Sequence, residues 1–260
     1  MSALRVLFQC RHILYATTLV EIRSRYTGTL FGLGWAILYP FLFLGLYAVV
    51  YGLILQIRLD RYAPLDYILI IFAGLIPFIG FSEALGTSVS SVSGNKQLIK
   101  NTLFPIELVP VKAVLAASLS MVIGLGGLIL ALWARGEFHV TQLLIVPLLV
   151  LQLVFSIGIG WLLSALNVFF RDVAQAIGIV VLFLMIASPI GYTRDMIPHA
   201  LLAIAYINPL FYIIELYRQV LIYDQVSPTF WLAFITISVT TFWVGHDVFS
   251  RLKPVFAEYV

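Results

Sequence analysis

Long apolar stretches constrain this chain more than any other feature. Six of them run at Gly32–Leu55, Tyr67–Val92, Val109–Trp133, Leu143–Phe170, Val173–Gly191 and Pro228–Ser250. A helix that crosses a bilayer needs about 20 mostly apolar residues, so each stretch predicts a transmembrane span. Composition agrees. Hydrophobic residues make up 62% of the chain and charged residues 10%, against about 25% charged in an ordinary soluble domain. Such a chain cannot shield its apolar surface from water without lipid. The expected fold is an all-α integral membrane protein in which residues 1–260 form one transmembrane domain.

A seventh apolar stretch, Leu201–Ile222, is interrupted by Asn208-Pro209 and carries Glu215 and Arg218. Each half is about ten residues, or about 15 Å of helix, half of a bilayer core. The pattern predicts a re-entrant helical hairpin over 198–225, in the outer leaflet ahead of the last span. The alternative is a seventh span. Lys and Arg discriminate between them. With the N-terminus inside, Arg5, Arg11, Arg23, Arg25, Lys96, Lys100, Lys112, Arg171, Arg251 and Lys253 are cytoplasmic. Arg58, Arg61, Arg135, Arg194 and Arg218 then lie outside, so the excess is ten against five. A seventh span would reduce it to eight against seven. Six spans with both termini in the cytoplasm follow.

Residues 1–31 precede the first span. At helical spacing Arg5, Gln9, His12 and Arg23 share one face, and Leu4, Leu7, Leu14 and Ile22 lie opposite, with Arg11 on the apolar side. This reads either as an amphipathic helix in the cytoplasmic interface or as a charged flank that orients the first span. No cleavable signal peptide is apparent.

Several chemistries have no sequence support. There is no GxxxxGK[ST] loop, HExxH, GxSxG or glycine-rich dinucleotide turn. His12, His139, His199 and His246 are scattered, and Cys10 is the only cysteine, so neither a metal set nor a disulfide framework is expected. A net charge of +3 gives no nucleic-acid footprint.

Two features inside the spans stand out. Glu83 sits among Ser82, Ser88, Ser90 and Ser91. It either lines a polar passage or hydrogen-bonds to neighbouring helices. Trp35, Tyr39, Phe43, Tyr47 and Tyr51 recur every four residues. Each step advances about 40° around a helix, giving a slowly winding aromatic ridge. Such a ridge can stack on sugar rings, but helix packing and an interfacial aromatic belt explain the same pattern. Arg171-Asp172 joins two spans in a tight turn. There Asp172 is placed to cap the following helix and Arg171 to anchor the inside.

Five segments together resemble a family. They are Arg23-Ser-Arg-Tyr-Thr-Gly-Thr-Leu-Phe-Gly-Leu-Gly-Trp35 closing with Tyr39-Pro40, Asn95 through Pro110 with its Phe104-Pro105, Asn167-Val-Phe-Phe-Arg171-Asp172-Val, Ser188-Pro189-Ile-Gly-Tyr192, and Tyr206-Ile-Asn208-Pro209-Leu210. In this order around six spans they resemble the membrane subunit of ABC exporters for bacterial surface polysaccharide: O antigen, capsule or teichoic acid. The resemblance covers nearly the whole chain.

It implies a homodimeric, non-catalytic permease of the bacterial inner membrane. Two copies of a separate ABC-type ATPase would bind ATP and Mg, leaving this chain without a cofactor. A lipid-linked polysaccharide would pass between the subunits, and periplasmic or outer-membrane export components are a further class of partner. The loop 93–107 would be the coupling segment, with Asn95, Lys96, Gln97, Lys100, Asn101, Phe104 and Pro105 at the ATPase. Arg23, Arg25, Tyr26, Arg171 and Asp172 would form a cytoplasmic gate. Trp35, Tyr39, Phe43, Tyr47, Tyr51 and Glu83 would line the pathway, and Asn208, Pro209, Glu215 and Arg218 would belong to the outer hairpin. Competing classes are an exporter of lipids or drugs, an ion-coupled carrier relying on Glu83, and a membrane-embedded glycosyl or acyl transferase. The last would need clustered His, Asp or Arg at one membrane face.

Overall fold

A computed structural model describes residues 3–32, 34–50, 64–95 and 104–256. Among these residues all regular structure is helical. The principal helices are α1 (Ala3–Gln9), α2 (Arg11–Tyr26), α3 (Gly34–Val49), α4 (Pro64–Val89), α5 (Ser91–Gly94), α6 (Leu108–Ala134), α7 (Ile145–Phe169), α8 (Asp172–Ala187), α9 (His199–Ile207), α10 (Pro209–Arg218) and α11 (Pro228–Leu252). Helices suit this sequence because each one satisfies its own backbone amides where no water is available.

Four stretches of described helix are long and apolar enough to cross a membrane: Leu65–Val89, Leu108–Ala134, Val140–Phe169 and Pro228–Val255. The other two expected spans are shorter. α3 and α8 have 16 residues each, about 24 Å of helix against a core of about 30 Å. The Leu55 end expected for α3 lies outside the described residues. The expected span Val173–Gly191 instead ends at Ala187, because Pro189 disfavours helical geometry in the residue before it. Ser188 is accordingly extended (φ −95°, ψ 145°).

α9 and α10 meet at 95° across Asn208. The Asn208 side chain accepts from Leu210 N at 3.0 Å, and Pro209 occupies the first turn of α10, where its missing N–H costs nothing. The same Asn208 donates to Ser188 Oγ at 2.9 Å, tying this bend to the end of α8.

The core is built on α4, α6, α7 and α10. Phe81 stacks on Phe155 at 5.5 Å, and Ile213, Ile214, Leu216 and Tyr217 of α10 have no exposed surface. A second cluster at the far end gathers Val92, Val109, Trp161, Val168, Phe249 and Phe256. Trp161 donates to Glu107 O at 2.9 Å, and Lys253 pairs with the Glu107 carboxylate at 2.7 Å.

Glycine decides how closely α7 and α11 approach. A Cβ on Gly245 would lie 2.1 Å from Gly158 O, and one on Gly158 would lie 2.6 Å from the Thr241 backbone. The two backbones touch there, as small residues permit in membrane helices. Gly124 and Gly160 likewise face neighbours within this chain, against Ile76 and Ser88.

Arg218 pins α10 to the rest. Its side chain is fully buried. Nε donates to Ile70 O at 3.2 Å, Nη1 to Tyr192 O at 3.0 Å and Nη2 to Ile190 O at 2.8 Å. One guanidinium thus satisfies carbonyls of α4 and of the irregular segment after α8. The sequence places Arg218 in the outer hairpin; within the fold its side chain is an internal strut.

Replacing Arg218 with Met strands the Ile190 and Tyr192 carbonyls of the irregular segment, each at a cost of about 1–3 kcal/mol. Thermal unfolding in detergent should show a drop of about 5–10 °C. Arg218→Lys should recover only part of it, since an ammonium cannot reproduce the fork. Gly245→Leu should cost about 3 kcal/mol or more by overpacking and deplete membrane-inserted protein. Gly126→Ala, with no atom near its added Cβ, should leave yield and unfolding temperature at the parent values.

Candidate functional site

The site begins with an ion pair. Glu83, in the second half of α4, accepts from Arg25 Nη1 at 2.8 Å. Arg25 stands one residue before the end of α2 and also donates through Nη2 to Ala113 O of α6 at 3.3 Å. One turn earlier on the same face of α2, Glu21 pairs with Lys112 of α6 at 3.0 Å. α2 therefore turns charged residues toward the bundle and leaves Ile13, Leu19 and Val20 exposed. Both ion pairs are partly buried. Removing one partner would leave a charge facing a poorly hydrated wall.

Beside this pair a cleft of about 520 Å³ opens between α3 and α8. Tyr26 of α2 and Trp35 and Tyr39 of α3 form one side. Ser82, Glu83 and Gly86 of α4 and Ser120 of α6 form the floor, and Ile177, Gly178 and Val181 of α8 the other side. Its wall is thus aromatic along one edge, polar at the base and aliphatic along the other. Tyr39 is 51% exposed, in the middle of an apolar helix.

The aromatic ridge continues upward from the cleft. Trp35 meets Phe31 edge to face at 5.4 Å, Tyr39 stacks on Phe43 at 6.2 Å, and Phe43 approaches Tyr47 at 5.2 Å. Phe43 and Tyr47 pack against the core cluster, and the Tyr47 hydroxyl reaches Met185 Sδ of α8 at 3.7 Å. The ridge follows the seam between the two short helices. Tyr51 lies outside the described residues.

The other sequence candidates fall elsewhere. Arg23 is exposed on α2 and does not line the cleft. Arg171 and Asp172 are exposed at the α7–α8 turn, and Asp172 provides no side-chain cap. The cap comes instead from Asn167, whose Oδ1 accepts from Ala174 N at 3.2 Å. Asn167 has the reach because it sits in the last turn of α7, whereas Asp172 is already within the helix it was expected to cap. In the loop region, Asn95 donates to Ser91 O at 2.7 Å, and Phe104 packs on the second cluster with Pro105 half-buried beside it. Lys96, Gln97, Lys100 and Asn101 lie outside the described residues. Glu215 is buried 3.9 Å from Arg218. Asn208 and Pro209 border a second, apolar cleft of about 680 Å³ with Phe183, Met196 and Leu201.

Arg25 and Tyr26, expected at a gate, and Trp35, Tyr39 and Glu83, expected along a pathway, are gathered by the fold around one cleft. Glu21, Lys112, Ser120 and the α8 wall are not among the residues expected there. A signal existed for Glu21, which stands four residues before Arg25 on one helical face. Nothing in the sequence marks Ile177, Gly178 or Val181.

The family model described as ABC-2 type transporter matches residues 10–222. The O-antigen export system permease protein RfbA of Klebsiella pneumoniae is 30% identical over 253 residues, covering 95% of this chain and 94% of the relative. The protein of the same name from Myxococcus xanthus is 25% identical over 261 residues, 98% of each chain. The polysialic acid transport protein KpsM of Escherichia coli is 27% identical over 235 residues, 88% of this chain and 89% of that one. A match over most of the chain, together with a bundle of membrane-length helices, makes this protein a member of the ABC-2 type transporter family of multi-span membrane proteins.

Proposed function

We propose that the chain is the permease subunit of an ATP-driven exporter that moves a lipid-linked surface polysaccharide outward across the bacterial inner membrane. One observation carries this reading beyond the family. The cleft with its aromatic edge and polar floor opens on the side of an otherwise apolar bundle, between the two shortest spans. Polar groups there are costly against lipid, so that side is best covered by a second copy of the chain or by water and cargo. In a homodimer the two clefts would face a shared path. Aromatic faces stack on sugar rings without directional hydrogen bonds, so a glycan can advance along Trp35, Tyr39, Phe43 and Tyr47 without being held. The named relatives, which export O antigen or transport polysialic acid, support the same class of cargo.

In this reading α3, α4, α6, α7, α8 and α11 are six spans with both termini cytoplasmic. Residues 1–31 form an interfacial gate latched by Arg25–Glu83 and Glu21–Lys112, and 198–225 form the re-entrant outer hairpin. Residues 93–107 couple to two copies of an ATPase, which bring ATP and Mg, since this chain has no phosphate loop. The chain itself performs no chemistry. It supplies a two-state passage whose equilibrium ATP binding shifts.

A mild-detergent pull-down of the tagged protein should bring along a P-loop ATPase in equal amount. Replacing Lys96 to Pro105 with a flexible linker should release it. Absence of any ATPase across several detergents would point to an ion-coupled carrier instead. Replacing Tyr39, Phe43 and Tyr47 together with Ala should lower polysaccharide export about tenfold, corresponding to about 1.4 kcal/mol of barrier, while ATPase assembly is retained. Export at the parent rate with a stable protein would sink the aromatic path.

A further inference from the structure

The α7–α8 turn contains a buried polar group that the site above does not use. Asn167, in the last turn of α7, is 3% exposed. Its Nδ2 donates to Ser93 Oγ of α5 at 3.0 Å, and its Oδ1 accepts from Ala174 N in the first turn of α8 at 3.2 Å. One short side chain therefore joins three helices. Ser93 stands two residues before Asn95, at the entry to the proposed coupling segment. Ala174 stands one turn before Ile177 and Gly178, which form a wall of the cleft.

The backbone of the turn does not make this connection. Val173 N bonds to Phe170 O at 3.1 Å, and Ala174 N is shared with Arg171 O at 3.3 Å; both contacts are local. Ser93 is itself fixed in α5, its hydroxyl donating to Ser90 O at 3.2 Å. A buried amide with both ends satisfied allows little slack, whereas apolar surfaces slide over one another.

The helix at the far end of the link has little buried surface. Ile177 is its one buried residue, whereas α6 buries residues along its whole length from Leu108 to Leu132. Ile179, Phe183 and Ile186 of α8 are 74%, 67% and 70% exposed. Val173, Ala174, Val181, Leu184 and Met185 pack α8 on the core, so a displaced first turn is carried along the helix to the side of the cleft it forms.

We propose that Asn167 is a positioning residue that transmits displacement of the coupling segment, through Ser93, to the first turn of α8 and so sets the width of the cleft. This rests on the exporter reading, because only a partner ATPase supplies the displacement. Contact with substrate is no part of the role.

The test uses the full complex with its ATPase, carrying a spin label at Ile179→Cys in a Cys10→Ser background. Distances between the labels of the two copies are compared without nucleotide and with ATP plus vanadate. The parent should show a nucleotide-driven change. Asn167→Leu should reduce the shifted population about fivefold while ATP hydrolysis stays within about twofold of the parent. Ser93→Ala, a milder change at a half-buried hydroxyl, should act in the same direction, and the double variant should be no worse than the single ones because both cut one link. Where Asn167→Leu fails to assemble, Ser93→Ala decides. Variants that unfold at lower temperature yet shift like the parent would overturn the relay and leave Asn167 a mere cap. A parent complex whose Ile179 labels stay at one distance with and without nucleotide would overturn the relay alone, whereas failure of any ATPase to co-purify would remove the exporter reading on which it rests.

Discussion

Everything in this bundle follows from the need to satisfy polar groups where water is absent. Helices meet that need for most of the backbone. Where a helix stops inside the bundle, a side chain must take over. Arg218 does so for the segment after α8, collecting carbonyls of Ile70, Ile190 and Tyr192. Asn208 does so at the α9–α10 break. These contacts let irregular backbone sit among apolar helices, and they fix the angle at which the bent pair packs.

The same constraint explains why the cleft lies where it does. α4 and α6 are the most buried of the long helices, α7 packs beside them, and α11 joins through the Gly158–Gly245 crossing. α3 and α8 are left at the edge, short and lightly buried. Between them the floor of the bundle shows through, and that floor carries Ser82, Glu83 and Ser120. The ion pair with Arg25 neutralises the carboxylate and holds α2 over one end of the opening. An aromatic ridge on a packed helix would be ordinary core. On this edge helix its lower half faces open space, and its upper half closes the seam against α8.

Periodicity and apolar length made much of this architecture legible. The central helices α4, α6, α7 and α11 begin and end within a few residues of the stretches read from sequence, because their boundaries are set locally by prolines and by the loss of apolar residues. The Asn208-Pro209 break is local for the same reason: a capping side chain followed by a residue that lacks an N–H. The every-fourth-residue aromatic pattern also needed no tertiary information.

Partners across the fold were not legible. Arg218 reads only as a cation of the outer hairpin until Ile70, Ile190 and Tyr192 are brought to it from distant parts of the chain. Asp172 reads as the cap of α8 until Asn167, five residues earlier but a helix turn away in space, is seen to reach Ala174 N. Arg25 and Glu83 are 58 residues apart and appear in the sequence as two unrelated charges. Local steric and hydrophobic preferences act over a few residues, so the sequence by itself determined the membrane class, the helices and their breaks. Which charges neutralise each other, which helix edge stays open and which side chain links the loop to the cleft depend on contacts between distant segments, and only the tertiary structure decided those.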